Sequence, residues 1–162
     1  MLKTASNTTL CLRPVPQTIV SCRDKDGKNN ALVVGFTANV SLDPAMVMVG
    51  IVPTRYSHHM IKEGGCFVVN LPAKSFKREY DYLGSHSGRD FDKVKETGLT
   101  PVTLNGGVAF EEAKMVLVCE KTYGQLMDLN DMADDSLQGK FYSSDAMHKL
   151  YIGRILAAYV KE

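Results

Sequence analysis

The stretch Asn30–Pro72, NALVVGFTANVSLDPAMVMVGIVPTRYSHHMIKEGGCFVVNLP, decides the fold. Its apolar runs are short, rich in valine and closed by turn-forming pairs, the mark of buried strands rather than helices. Ala31–Ser41 is nearly all apolar and then turns polar at Thr37, Asn39 and Ser41. A period of two puts those three side chains on one face of an extended segment and sends Phe36, Ala38 and Val40 toward the core. Asp43-Pro44 interrupts the run, and Ala45–Val52 begins a second buried strand. Pro53-Thr54 leads into a short helix over Arg55–Glu63, stopped by Gly64-Gly65, and Cys66–Leu71 forms a third buried strand. Polar groups inside such a run need partners. The row Thr37, Asn39, Ser41 is therefore either the wet face of an edge strand or the lining of a ligand site.

Outward from that centre the chain keeps the same character. Gln17–Arg23 is a β-branched strand, and Asp26-Gly27 inside the polar Asp24–Asn30 cluster is a hairpin signal. Ser75–Leu83 places Phe76, Tyr80 and Leu83 on one helical face, a spacing that fits packing better than a stacking platform. Gly84–Lys95 is a polar loop running into a helix. Gly98–Leu104 opens a β region, Lys114–Leu129 is a long strand or a bent pair of strands, Asn130–Gly139 is an acidic loop, and Lys149–Lys161 reads as strand or helix, with Gly153 and the Tyr-Ile start favouring strand. No repeat and no linker interrupts residues 1–162. The expectation is a single domain, mainly β with short helices, in a Greek-key barrel.

Composition excludes several classes of function. With 19 basic and 18 acidic residues the net charge is +1, so no global field draws in nucleic acid or an anionic membrane. Residues 1–70 carry 7 basic against 4 acidic side chains, which directs an anionic ligand to the first half. The four cysteines, Cys11, Cys22, Cys66 and Cys119, form no C-x-x-C pair, and no His or Cys spacing suits a metal. Free thiols, the lack of a secretory pattern and the lack of a long apolar run together imply a cytoplasmic protein.

The order PVPQTIVSCRD, NALVVGFTANVSLDPAMVMVGI, TRYSHHMIKEGGCFVVNLP, SGRDFDK, GLTPV resembles the flavin reductase-like, FMN-binding split β-barrel proteins, a likeness running from Pro14 to Gly153. The resemblance implies a Greek-key split β-barrel, a homodimer and FMN near the subunit interface. It implies that Thr37, Ala38, Asn39, Val40 and Ser41 lie along the isoalloxazine ring and ribityl chain, as strand N–H groups and small polar side chains suit the pyrimidine edge. The phosphate falls to Arg55 and Ser57 with His58 close by, a guanidinium beside a helix start being a strong anion site. Ser87, Arg89 and Lys93 belong to a segment that closes over flavin or substrate, and His148 is placed near the reacting face.

The function so implied is an FMN-dependent oxidoreductase in which NAD(P)H delivers hydride to the flavin and a second small-molecule acceptor takes the electrons. Within the same fold the rival is a flavoredoxin-type carrier reduced by a redox protein partner. Outside it stands a non-enzymatic small-ligand or haem-binding split barrel. No G-x-G-x-x-G fingerprint is present, and no catalytic triad is needed for hydride transfer. Each feature has a plainer explanation as well. Arg55 can be a surface residue, the Ser87–Arg89 segment a simple turn, and His86 and His148 ordinary loop histidines. His58 and His59 are helical neighbours about 100° apart, so they cannot face one ligand together.

Overall fold

The computed structural model describes residues 18–72, 76–134, 136, 139 and 147–161. Cys11 and most of the second half of the Asn130–Gly139 loop lie outside them. Among the described residues, nine strands and three short α-helices of defined extent follow in the order β1 (Thr18–Arg23), β2 (Asn29–Val34), β3 (Thr37–Leu42), β4 (Ala45–Ile51), α1 (Tyr56–Gly64), β5 (Cys66–Pro72), α2 (Lys77–Ser85), α3 (Lys93–Thr97), β6 (Pro101–Leu104), β7 (Gly107–Phe110), β8 (Ala113–Leu126) and β9 (Lys149–Val160). The main sheet is antiparallel with strand order β2-β1-β5-β8-β9-β4-β3, and β6 pairs β7 in a separate hairpin.

That order forces curvature. Strands β2 and β3 are the two opposite edges of the sheet, yet only Gly35 and Phe36 separate them in the chain. A link of that length spans roughly 10 Å at most. The edges must therefore meet, and the sheet rolls into a barrel with its seam at this point. A hydroxyl contact of 3.0 Å between Thr18 Oγ1 on β1 and Thr37 Oγ1 on β3 crosses the seam.

The turn between β1 and β2 follows the expected chemistry. Gly27 has φ +84°, and the Asp24 carboxylate accepts from the backbone N–H groups of Asp26 and Lys28. Inside the barrel, alternate residues pack together: Val20 and Cys22, Leu32 and Val34, Val47, Val49 and Ile51, Phe67 and Val69. Helix α1 fills one end with Met60 and Ile61. The outer faces of β1 and β2 are buried too, because Ile19 and Ala31 meet Phe76, Leu83, Val94 and Leu99 from the α2–α3 region. The hairpin β6–β7 covers β5 and β8 around Val68 and Val118. Strands covered on both sides explain why those runs read as continuous apolar sequence.

Strand β3 departs from expectation. Phe36 is 62% exposed and Val40 46%, so neither faces the core, and Ala38 and Asn39 are exposed as well. As an edge strand, β3 has β4 on one side and no described strand on the other. A bulge between Asn39 and Ser41 also breaks the alternation, so the polar row does not continue on one face. Helix α1 begins at Tyr56, one residue later than expected, with Arg55 as its N-cap.

Candidate phosphate-binding site

A cavity of about 230 Å³ opens where three chain segments meet: the start of β2, the β4–α1 turn, and the loop from α2 to α3. Its wall includes Asn30, Arg55, Ser57, Arg89 and Lys93, and among the described residues no Asp or Glu side chain lines it. Arg55, in extended conformation with φ −70° and ψ 138°, is the N-cap of α1 and makes no side-chain capping bond. The first turn of that helix carries no acidic residue. Its unpaired N–H groups and the positive end of its dipole thus add to the field of the side chains.

Burial fixes the floor. Ser57 is almost fully buried, and its Oγ accepts a 2.6 Å hydrogen bond from Asn30 Nδ2. Lys93 is only 5% exposed, and its Nζ donates to the Leu83 carbonyl at 2.9 Å. Burial, with the nearby Arg55 charge, pushes the Lys93 ammonium down to about 8. A cation this poorly solvated gains strongly from an anion. At the rim, Arg89 Nη1 donates to the Thr54 carbonyl at 3.2 Å, which ties the α2–α3 loop to the β4–α1 turn. Lys28 Nζ donates to the Gly88 carbonyl at 2.8 Å. The Tyr56 ring lies between them, 5.0 Å from Lys28 Nζ and 5.5 Å from Arg89 Cζ. Gly88 is required by this closeness: a Cβ there would stand 2.5 Å from Asn30 Oδ1 and 2.6 Å from the Tyr56 ring.

Arg55 and Ser57, expected at the phosphate, and Ser87, Arg89 and Lys93, expected in a segment that closes over flavin or substrate, all line this one cavity, although they span nearly forty positions of sequence. His58 does not. Its Nδ1 lies 3.0 Å from the Tyr151 hydroxyl on β9, and burial, then the Lys149 charge, lowers its imidazole pKa. One step along a helix turns the side chain by about 100°, so once Ser57 faces the cavity His58 must face elsewhere. His148 packs edge-on against Phe36, with ring centroids 4.9 Å apart, directly before Thr37. It therefore stands at the head of β3, the strand expected along the flavin ring, while Thr37, Ala38, Asn39, Val40 and Ser41 do not line the cationic cavity. Asn30, Lys28 and Tyr56 were not expected there. Asn30 looked like part of a polar turn, and only its inward register on β2 reveals it.

The donor set suits a phosphate monoester: cations without a carboxylate counterpart, a buried hydroxyl and a helix start. Among the described residues no cluster of His, Cys, Asp or Glu could hold a metal, and no helix is long and apolar enough to cross a membrane. The described cysteines, Cys22, Cys66 and Cys119, are free thiols. Burial raises all three, Cys22 and Cys119 to about 12, so none is a ready nucleophile.

Comparisons with known proteins identify the fold and the family. An uncharacterized protein of Pyrococcus abyssi is 28% identical over 135 residues, covering 82% of this chain and 67% of the relative. The NADH:riboflavin 5'-phosphate oxidoreductase of Streptomyces pristinaespiralis is 28% identical over 112 residues, covering 66% of this chain and 59% of that protein, so the chain spans less than two thirds of it. Among solved structures, the flavoredoxin of Methanosarcina acetivorans superposes with a TM-score of 0.76 at 24% identity, over 100% of this chain and 77% of its own. A flavin reductase-like protein with a split barrel domain from Shewanella frigidimarina gives 0.75 at 18% identity, over 91% and 67%. The rolled sheet is therefore the split barrel expected from the sequence. The family description "Flavin reductase like domain" matches residues 12–162, and this chain belongs to that family.

Proposed function

We propose that the chain is an FMN-dependent oxidoreductase of the flavin reductase kind, with NAD(P)H as electron donor. The observation that carries this is the convergence of Arg55, Arg89 and Lys93 around Ser57 at the start of α1, with no carboxylate among the described residues of the wall. Arg55 and Lys93 would hold the FMN phosphate, Ser57 would fix its orientation, and Arg89 would close the rim. Thr37 to Ser41 on the exposed edge strand β3 would run along the ring and ribityl chain. His148, held against Phe36, would stand near the reacting face. When bound, the flavin supplies hydride acceptance from NAD(P)H and electron delivery to a second acceptor. The named activity of the Streptomyces relative supports a nicotinamide donor over a protein donor.

A homodimer belongs to the same proposal. Phe36 just before β3 and Val40 and Leu42 on it expose apolar surface, and Tyr159 and Val160 do so at the end of β9. A second copy would cover such surface and would enclose a ligand lying along β3.

Visible absorption tests the cofactor. The purified protein should be yellow or become so with added FMN; a colourless protein that takes up none would overturn the proposal. Anaerobic mixing with NADH or NADPH should bleach the flavin rapidly. Persistent colour with both would make the chain a carrier fed by another protein.

A further inference from the structure

Lys93 has a property that anion binding leaves unused. Of the described lysines it alone is buried, yet it lines the cationic cavity and meets any small molecule that enters there. The 2.9 Å hydrogen bond to the Leu83 carbonyl on α2 holds its Nζ in place. Burial first, then the Arg55 charge, push the ammonium down to about 8, while Cys22 on β1 acts in the opposite direction. At about pH 7.5 roughly a quarter of such a side chain is free amine, against about one part in a thousand for a lysine at the ordinary 10.5. The free amine keeps its N–H bond to Leu83 and has a lone pair to spare. A desolvated lysine beside a second cation is an activated nucleophile.

A nucleophilic amine and two guanidiniums in one wall select an electrophile that carries its own phosphate. We propose that Lys93 is an acylation site for acyl phosphates, small mixed anhydrides whose phosphate lodges between Arg55 and Arg89 and presents the carbonyl carbon to Nζ. The inference rests on the cavity being a phosphate site, as proposed above, and adds a covalent chemistry to it. The Nζ lone pair forms a C–N bond to the carbonyl carbon. The C–O bond to phosphate breaks, its electron pair leaves with inorganic phosphate, and the proton shed by nitrogen passes to that phosphate or to water. Nothing is oxidised or reduced. Two guanidinium charges balance a phosphate dianion, so the bound reagent does not drive the amine back to ammonium, and the same charges stabilise the departing phosphate. The product is an uncharged amide. It removes one cation from a cavity of about 230 Å³ and takes up room inside it, so acylation shuts the site to further phosphate ligands.

Incubation of the native protein with acetyl phosphate, followed by mass spectrometry of its peptides, tests the site without flavin. Lys93 is expected to gain an acetyl group at least about ten-fold faster than the exposed Lys25 and Lys62, a small part of what proximity can supply. Inorganic phosphate should slow Lys93 and leave the two exposed lysines unaffected. A second reagent, p-nitrophenyl acetate, carries the same acetyl group without phosphate. Arg89→Ala should slow the acetyl phosphate reaction at Lys93 about ten-fold and leave the p-nitrophenyl acetate reaction unchanged, a contrast that an unfolded variant would not give. Lys93 reacting with acetyl phosphate no faster than Lys25 and Lys62 would overturn the inference. Acetylation of Lys93 indifferent to inorganic phosphate would do so too, as would equal slowing of both reagents by Arg89→Ala. The flavin reading fails separately. A protein that takes up FMN but leaves Lys93 untouched keeps that reading and defeats the acylation site; a phosphate-protected, reactive Lys93 in a protein that takes up no flavin does the reverse.

Discussion

In the cavity proposed to hold phosphate, Arg55 and Lys93 differ in exposure. Arg55 is permanently charged and solvent-facing, so it acts as a strong fixed contact. Replacing it by alanine should weaken FMN binding by about 2 kcal/mol, the usual worth of a charge-assisted hydrogen bond. Fluorescence titration of FMN checks this, and an unchanged affinity would move the phosphate elsewhere. Lys93 is buried beside Arg55, Cys22 and the Leu83 carbonyl, and it titrates at about 8 instead of the ordinary 10.5. Only the ammonium form attracts phosphate, so FMN affinity should fall as pH rises through about 8. A Lys93→Met protein should lack that step. Stability moves the other way: between about 8 and 10.5 the unfolded chain binds more protons at this residue, so its contribution to folding improves with rising pH. Both cations were singled out in the sequence, Arg55 in TRYS for the phosphate and Lys93 in SGRDFDK for a segment closing over flavin or substrate. The side chain that fails, His58, shows the limit. A helix start names four or five adjacent residues, and packing alone decides which of them face inward.

Most elements were legible because their apolar period and their turns agree. The exceptions share a cause. The hairpin β6–β7 was read only as the opening of a β region, although Asn105 and Gly106 have φ +47° and +82° and make the two-residue turn that Asn-Gly favours. Strand β3 was read as buried because its composition matches β4. Edge position is a property of sheet order, which periodicity does not contain. Asn70 on β5 is a polar residue in an apolar strand whose purpose emerges only from topology. Its Nδ2 donates to the Ile19 carbonyl and to Ser21 Oγ on β1, and its Oδ1 accepts from the Phe110 N–H on β7. One side chain thus fastens the small hairpin to the barrel. Asn70→Ala should lower unfolding stability by about 1–3 kcal/mol, the cost of leaving such buried groups unmet. Urea denaturation measures it, and a loss below a few tenths would show that water replaces the amide.

At the scale of the whole molecule, strand β2 takes part in both the seam of the barrel and the wall of the cationic cavity. The seam leaves an apolar edge, with Leu42 87% exposed. Light scattering should find a dimer, and Leu42→Glu should shift it toward monomer with weaker flavin uptake; a wild-type monomer that still binds FMN tightly would separate assembly from binding. The cavity has a consequence of another kind. Arg55, Arg89 and Lys93 belong to the β4–α1 turn and the α2–α3 loop, and their mutual repulsion works against the contacts that bring those segments together. A dianion placed among them turns that repulsion into cross-linking, so the ligand acts as a removable counter-ion for the architecture itself. A ligand at one hundred times its dissociation constant adds about 2.7 kcal/mol to the folded state. With the ligand of the proposed function, the lifetime of the chain would be tied to the supply of that phosphate.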